Sequence, residues 1–197
     1  LFRSSAASDV YKRQLYGAGQ LARRLKLPFR SGGGLCGSKL PDAQAAYESA
    51  NTLNAALLGG VNFMLHACGW LEGGLVSSFE KFVMDADQLG CLHQMAKGVV
   101  MDENAQALDA IREVGPGGHY LGCAHTQANF QSAFWRTDLF DYKPFETWQE
   151  EGGLDTMSLA SRRVKNLLDN YAKPDLENGV EEALSLIHIS EPTRLAT

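Results

Sequence analysis

Two glycine-rich stretches of this sequence carry the residue types best suited to bind a small molecule. The first runs from Arg30 to Lys39 and contains three glycines in a row, which are Gly32, Gly33 and Gly34. Their missing Cβ atoms let the flat surface of another molecule approach the backbone closely. Lys39 adds a hydrogen-bond donor. We therefore expect this stretch to form a binding loop between a strand and a helix.

The second stretch, residues 66–74, brings an imidazole, an indole and a carboxylate close together along the chain. His66 ends an apolar run, Trp70 and Glu72 follow, and the glycine pair Gly73–Gly74 closes the stretch. Because side chains alternate along a strand, His66 falls on the polar side of that run. Packing at a strand end is the alternative role for the histidine and the tryptophan, and helix capping is the alternative for Glu72.

A third stretch, residues 123–129, contains His125. His119 and Cys123 lie close to it in sequence, with Cys68 as a more distant candidate, and zinc favours ligands of these types. The spacing is not that of a compact structural zinc site. A zinc site is therefore an alternative interpretation, which metal analysis of the purified protein would test.

Helix and strand signals predict how these stretches are positioned. Helical periodicity covers residues 15–25, 43–57, 79–98, 102–114 and 158–171, and short apolar runs at 27–31, 61–66 and 119–123 indicate strands. Each strand precedes one of the three stretches, a pattern typical of parallel βα units. A complete (β/α)₈ barrel has about 250 residues, and its chemistry is built from the loops that follow the strands. The sequence thus predicts an α/β fold: roughly the last three βα units of a partial TIM barrel, plus C-terminal helices.

A doubly wound dinucleotide-binding sheet is the rival fold. It should show a GxGxxG motif after its first strand, and the three consecutive glycines do not have that spacing. The aromatic-rich segment 138–153 is expected to form a surface lobe, which offers a surface for self-association into a homo-oligomer.

Composition narrows the class of partner. The chain has 197 residues, 45% of them hydrophobic, and a formal net charge of -5. This charge argues against nucleic acid or an anionic membrane as a partner, since both normally demand a basic face. No apolar run is long enough to span a bilayer. The four cysteines are widely spaced without a CxxC motif, which favours reduced thiols in a cytoplasmic protein.

The two ends of the chain differ in character from the rest. Residues 1–14 and 185–197 resemble translated sequencing adapter, and such segments are excluded from fold reasoning. The genuine chain is therefore expected to cover residues 15–184.

Four longer motifs then point to a family. Residues 37–49 (GSKLPDAQAAYES), 67–75 (ACGWLEGGL), 80–90 (EKFVMDADQLG) and 111–122 (IREVGPGGHYLG) resemble, in the same order, the C-terminal part of the trimethylamine methyltransferase family. The resemblance implies a (β/α)₈ barrel that moves a methyl group from a methylated amine to the cobalt of a corrinoid carried by a separate protein. It also implies that the corrinoid belongs to this partner and that the chain itself binds no metal.

The resemblance also bears on the methyl donor. Some archaeal members that use trimethylamine contain pyrrolysine, whereas this sequence contains only standard residues. A quaternary ammonium needs no proton before it releases a neutral amine, so members without pyrrolysine are associated with quaternary amines such as glycine betaine. We expect that donor class here, with trimethylamine as the alternative.

Each candidate residue receives an expected role from the resemblance. Trp70 would face the substrate cation and Glu72 would balance its charge, while Arg30 or Lys39 would hold a substrate carboxylate. His66 and His125 would orient either ligand. The glycines at 32–34 and 73–74 would let the corrinoid ring approach. The competing interpretations are a zinc-dependent corrinoid methyltransferase and an inactive, truncated fragment of the enzyme. Arg30 could also serve only to pair with a neighbouring carboxylate.

Overall fold

A computed structural model of the chain describes residues 5–137, 139–177 and 179–183. Its elements, in chain order, are α1 (Ser5–Leu25), β1 (Arg30–Gly32), α2 (Ala43–Leu58), β2 (Phe63–Leu65), β3 (Trp70–Leu71), a 3-10 turn (Glu72–Gly74), β4 (Val76–Ser77), α3 (Phe79–Ala96), α4 (Glu103–Gln106), α5 (Leu108–Val114), α6 (Ala124–Asn129), α7 (Phe145–Glu150) and α8 (Thr156–Asp169). The fold is α/β with few strands, and the described residues form no closed barrel. The chain divides into two compact units between Val164 and Lys165, and every candidate site residue belongs to the first.

The first two predicted strands are confirmed, although both are shorter than expected. β1 and β2 run parallel, with Ser31 opposite Met64 and Gly32 opposite Leu65. Parallel neighbours need a crossover connection, which here is helix α2. The Asn62 side chain helps to close the start of this pair, because its Oδ1 accepts a hydrogen bond from the Phe29 N–H at 2.9 Å. The two strands and α2 therefore make one βαβ unit.

The prediction of a third strand at residues 119–123 is wrong. Residues 119–123 form turns and bends, and the side chain of Leu121 is 77% exposed, so this apolar run is not buried in a sheet. Cys123 instead caps helix α6, its sulfur accepting a hydrogen bond from the Thr126 N–H. Because the described residues contain one βαβ unit and no third strand parallel to it, the partial TIM barrel stays a prediction.

The loop at 67–74 was not predicted to contain strands, yet it forms the first half of a hairpin. β3 and β4 pair antiparallel, with Trp70 opposite Ser77 and Leu71 opposite Val76. Two-residue strands are too short to show an alternating pattern in the sequence. The 3-10 turn between them reverses the chain through Gly73, whose φ is 66°.

The long helices are confirmed, with corrections at their ends. The carboxylate of Asp42 is the N-cap of α2 and accepts from the Ala45 N–H at 3.0 Å, so the helix begins where the periodicity predicts it. The helix predicted from Asp102 begins there as expected. It breaks at Ala107, whose φ of 52° lies in the left-handed region.

The two ends of the chain contain none of the candidate site residues. Helix α1 begins at Ser5, and the interpretation of residues 1–14 as adapter stays a prediction. The segment 185–197, also interpreted as adapter, lies outside the described residues. Within the part of the chain that the structure describes, no helix is both long and apolar enough to cross a bilayer.

The triple-glycine segment packs tightly against its own chain. The Gly33 N–H donates to the Leu65 carbonyl at 3.0 Å, and the Gly34 N–H donates to Thr52 Oγ1 at 3.2 Å. A Cβ atom at Gly33 would lie 2.9 Å from the Leu53 side chain, and one at Gly34 would lie 2.5 Å from the Ala67 carbonyl oxygen. These two glycines are therefore needed for close contact between β1, β2 and α2.

This packing predicts unequal costs for two alanine substitutions. Gly34 and Gly73 both have positive φ, 75° and 66°, so either substitution should cost about 1–2 kcal/mol in backbone strain. Only Gly34→Ala also introduces a steric clash, since no atom lies within 4 Å of a Cβ at Gly73. We expect Gly34→Ala to lower the free energy of unfolding by about 1–3 kcal/mol more than Gly73→Ala. Urea unfolding of the two variants measures the difference, and equal losses would contradict the packing described here.

Candidate functional site

Three of the predicted site residues, His66, Trp70 and Glu72, meet on the loop and hairpin turn that follow β2. The His66 and Trp70 rings are in edge-to-face contact, with centroids 5.5 Å apart and planes at 78°. His66 (φ 55°) and Glu72 (φ 49°) are two of four non-glycine residues with a left-handed backbone among the described residues. Such conformations are strained and persist only where the surroundings impose them. Residues with a constrained backbone therefore stand on both sides of Trp70 along the chain, and one of them, His66, contacts its ring.

Backbone hydrogen bonds join this hairpin to the first glycine-rich stretch. The Glu72 N–H donates to the Ser38 carbonyl at 2.8 Å, and the Gly73 N–H donates to the Cys36 carbonyl at 2.7 Å. In return, the Cys36 thiol donates to the Trp70 carbonyl at 3.1 Å. The structure thus brings the first two predicted stretches into direct contact.

The two predicted cations are placed differently. Lys39 follows directly after Ser38, is exposed, and donates from Nζ to the Gly37 carbonyl at 2.9 Å. Arg30 begins β1 opposite Phe63, whereas His66 follows the end of β2, which is about 10 Å further along at the usual rise per residue. Lys39 therefore lies on the side of the sheet where the hairpin is, and Arg30 lies at the other end.

His125 forms its contacts elsewhere. It lies on α6, and its Nε2 is 2.7 Å from the Asn104 carbonyl oxygen. His119, a ligand in the alternative zinc interpretation, is exposed in the segment before α6. Across residues 5–137, 139–177 and 179–183, no group of three or more His, Cys, Asp or Glu is arranged to hold a metal ion.

The glycines predicted to face the corrinoid fall into two groups. Gly73 is exposed with nothing within 4 Å of a Cβ atom, and the nearest atom at Gly32 is 3.9 Å away. Gly33 and Gly34 are buried, and a Cβ at Gly74 would lie 3.3 Å from the Leu35 side chain. A methyl group would therefore fit without a clash at Gly73, and at Gly32 it would only touch the Leu65 carbonyl oxygen.

A buried ion pair beneath this site was not predicted from the sequence. Lys81 and Asp85 form this pair, and only 1% and 3% of their residue surfaces are exposed. Lys81 Nζ contacts both Asp85 oxygens, with Oδ1 at 2.5 Å, and donates to Ser49 Oγ at 2.7 Å. Asp85 Oδ2 also accepts from the Gly69 N–H at 2.9 Å. An (i, i+4) pair is ordinarily an exposed helix pair, which is why its sequence spacing gave no signal of burial.

The neighbouring acid has a separate role. Asp87 accepts a hydrogen bond from Thr137 Oγ1 at 2.6 Å, so Asp85 and Asp87 have different partners. Burial raises the pKa of the Asp85 carboxyl, and the Lys81 ammonium and the Gly69 N–H oppose part of that rise.

Burial also affects a thiol within this loop. It raises the pKa of Cys68 to about 11, and the nearby Asp85 carboxylate adds to the rise. Because the thiolate is the nucleophile, alkylation of Cys68 by iodoacetamide should be slow at pH 8 and should accelerate about tenfold per pH unit up to about pH 11. In urea, the alkylation rate of the unfolded chain should level off near the ordinary thiol pKa of about 8.5. Peptide mapping by mass spectrometry measures both profiles, and a plateau near pH 9 in the native protein would show that the loop is not packed as described.

Comparison with known proteins places the chain in a family. The family model described as trimethylamine methyltransferase (MTTB) matches residues 7–190. The chain is 45% identical to the glycine betaine methyltransferase of Desulfitobacterium hafniense over 165 residues, which are 84% of this chain and 34% of that protein. It is 32% identical to the proline betaine:corrinoid methyltransferase of Eubacterium limosum over 170 residues, 84% of this chain and 34% of that protein.

A third relative has a different named substrate. The chain is 28% identical to the trimethylamine methyltransferase MttB of Desulfitobacterium hafniense over 171 residues, which are 87% of this chain and 34% of that protein. The chain thus spans about one third of the length of each of these relatives. Since the family model covers most of the sequence, the chain belongs to the trimethylamine methyltransferase family.

Proposed function

We propose that this chain is part of a methyltransferase that moves a methyl group from a quaternary amine, such as glycine betaine, to the Co(I) corrinoid of a partner protein. The observation that carries the proposal is the constrained Trp70 hairpin in a chain that is 45% identical to a glycine betaine methyltransferase. Because the chain spans about a third of that relative, the proposal concerns the whole protein to which these residues belong. The cytoplasm is its proposed location.

The chemistry of a quaternary donor explains what the protein must supply. The bond from nitrogen to the methyl carbon breaks, and nitrogen keeps the electron pair as a neutral tertiary amine. The two electrons of the new bond from carbon to cobalt come from Co(I). No proton is needed in this step, so the protein contributes chiefly by holding the methyl group in line with its acceptor.

The hairpin offers groups suited to a betaine. The indole face of Trp70 can attract the quaternary cation, an interaction worth about 0.5–2 kcal/mol, and the exposed carboxylate of Glu72 can balance its charge. His66 supports the ring by its edge contact at 5.5 Å. Lys39 is the cation favoured for the betaine carboxylate. The residue before it, Ser38, accepts a hydrogen bond from the Glu72 N–H, so Lys39 lies close to the hairpin in the chain. Arg30, at the far end of the sheet, is the less favoured alternative. The role of His125 in orienting a ligand stays a prediction.

The corrinoid would approach from the open side of the hairpin turn. No atom lies within 4 Å of a Cβ position at Gly73, and the nearest one at Gly32 is 3.9 Å away, so these two glycines are the better suited to contact with a flat macrocycle. Gly33 and Gly34 are occupied by packing within the chain, and their proposed contact with the corrinoid has less support. The ring itself would be delivered by the partner protein.

A hybrid enzyme tests the proposal. The matched third of the Desulfitobacterium glycine betaine methyltransferase would be replaced by the matched residues of this chain, and the growth of methylcobalamin absorbance would be followed with Co(I) cobalamin. We expect transfer from glycine betaine and little from trimethylamine. A folded hybrid that uses only trimethylamine would favour that donor, and one that uses neither would reject both. Assaying the 197-residue chain alone beside the hybrid tests the interpretation as an inactive fragment.

Substitutions at the hairpin test the assigned roles. In the hybrid, Trp70→Ala should raise the KM for glycine betaine about 2- to 30-fold, which corresponds to the loss of 0.5–2 kcal/mol. Trp70→Phe keeps an aromatic face and is the matched control, with a smaller expected rise. Glu72→Gln should also raise KM, because it removes the balancing charge. If Trp70→Ala binds betaine as well as the parent hybrid does, the indole is not the cation site.

A further inference from the structure

The buried Lys81–Asp85 pair is hydrogen-bonded directly to the backbone of one loop of the candidate site and, through Ser49, to the backbone of the other. Asp85 Oδ2 accepts from the Gly69 N–H at 2.9 Å, at the base of the hairpin. Lys81 donates to Ser49 Oγ at 2.7 Å, and Ser49 Oγ in turn donates to the Gly34 carbonyl at 3.2 Å, in the glycine loop. With exposures of 1% and 3%, neither charged residue can touch a substrate. Any influence of the pair on chemistry must act through these two loops.

Gly69 is the point at which this influence would reach Trp70. Its φ is 82°, and a Cβ there would lie 3.2 Å from Phe82 Cβ on α3. The Gly69 carbonyl accepts from the Ser78 N–H at 3.0 Å, just before the same helix. Both polar groups of Gly69 are thus satisfied by α3 or its cap. The residue directly after it carries the indole.

We propose that Lys81 and Asp85 are positioning residues, which fix Gly69 and, through it, set the Trp70 ring against His66 in the orientation that receives the amine cation. This inference rests on the proposed function for its consequence in catalysis. The positioning itself is a property of the chain and can be measured without any activity. The hydrogen bond from the Gly69 N–H to Asp85 distinguishes this positioning role from a role in helix packing alone.

Two double variants isolate that hydrogen bond. Lys81→Met with Asp85→Asn removes both charges but keeps a side-chain oxygen that can accept from Gly69. Lys81→Met with Asp85→Leu removes the charges and the acceptor together. Replacing a buried ion pair by apolar residues often leaves stability unchanged or improved, so a purely structural pair predicts similar behaviour for the two variants.

Amide hydrogen exchange on the full 197-residue chain gives the first measurement. In the unmodified protein the Gly69 amide should be protected. Its exchange should quicken about tenfold or more in the Leu double variant, as expected for the loss of a hydrogen bond to a charged group, and stay close to the unmodified rate in the Asn variant. The His66 ring resonances, shifted by the Trp70 ring, should move in the Leu variant only. Leu92→Ala, about two turns further along α3, is the control for general loosening of the core and should leave both signals in place.

Two results would overturn the inference. One is a Gly69 amide that is unprotected in the unmodified chain, which needs no variant to observe. The other is equal behaviour of the two double variants at Gly69 and His66. In the hybrid enzyme, the Leu variant should show a higher KM for glycine betaine than the Asn variant. A hybrid inactive with every donor would reject the proposed function, while the exchange data would still decide whether the pair positions the loop.

Discussion

The buried contact between Lys81 and Asp85 is the interaction on which the arrangement of the site depends. Removing two charges from water carries a penalty of several kcal/mol per ion, which only close geometry and further hydrogen bonds can offset. Here Ser49 and the Gly69 N–H provide those bonds. Because breaking one contact leaves a buried charge uncompensated, α2, α3, the glycine loop and the hairpin are held as one assembly.

Small residues make this assembly possible. Helix α2 presents Ala45, Ser49 and Ala56 as buried positions, so the neighbouring helix can approach closely enough for Lys81 to reach the Ser49 hydroxyl. Gly33 and Gly34 admit the glycine loop to the same interface, where a Cβ would clash with Leu53 or with the Ala67 carbonyl. The candidate binding residues Trp70 and Glu72 therefore lie on a short hairpin that is supported by this tightly packed interface.

Much of the fold was predictable from local pattern. The helices α2, α3 and α8 follow apolar periodicity, and Asp42 and Asp102 are caps whose role depends on the adjacent backbone alone. The strand predicted at 119–123 failed because an apolar run does not reveal whether a sheet is present to bury it. The β3–β4 hairpin was missed because its strands are too short to alternate. The partial barrel stays a prediction because the closure of a sheet depends on contacts between residues far apart in the sequence.

The sequence by itself determined the long helices α2, α3 and α8, the positions of the glycine-rich loops, the candidate residues His66, Trp70 and Glu72, and a family resemblance that the comparisons confirmed. These features are encoded in neighbouring residues or in long motifs. Only the tertiary structure decided that Ser49 and Lys81 meet, that an ordinary (i, i+4) pair is buried, and that Gly73 is open while Gly34 is enclosed. Burial is a collective outcome of packing between distant segments, and no local pattern states which charge will lose its water.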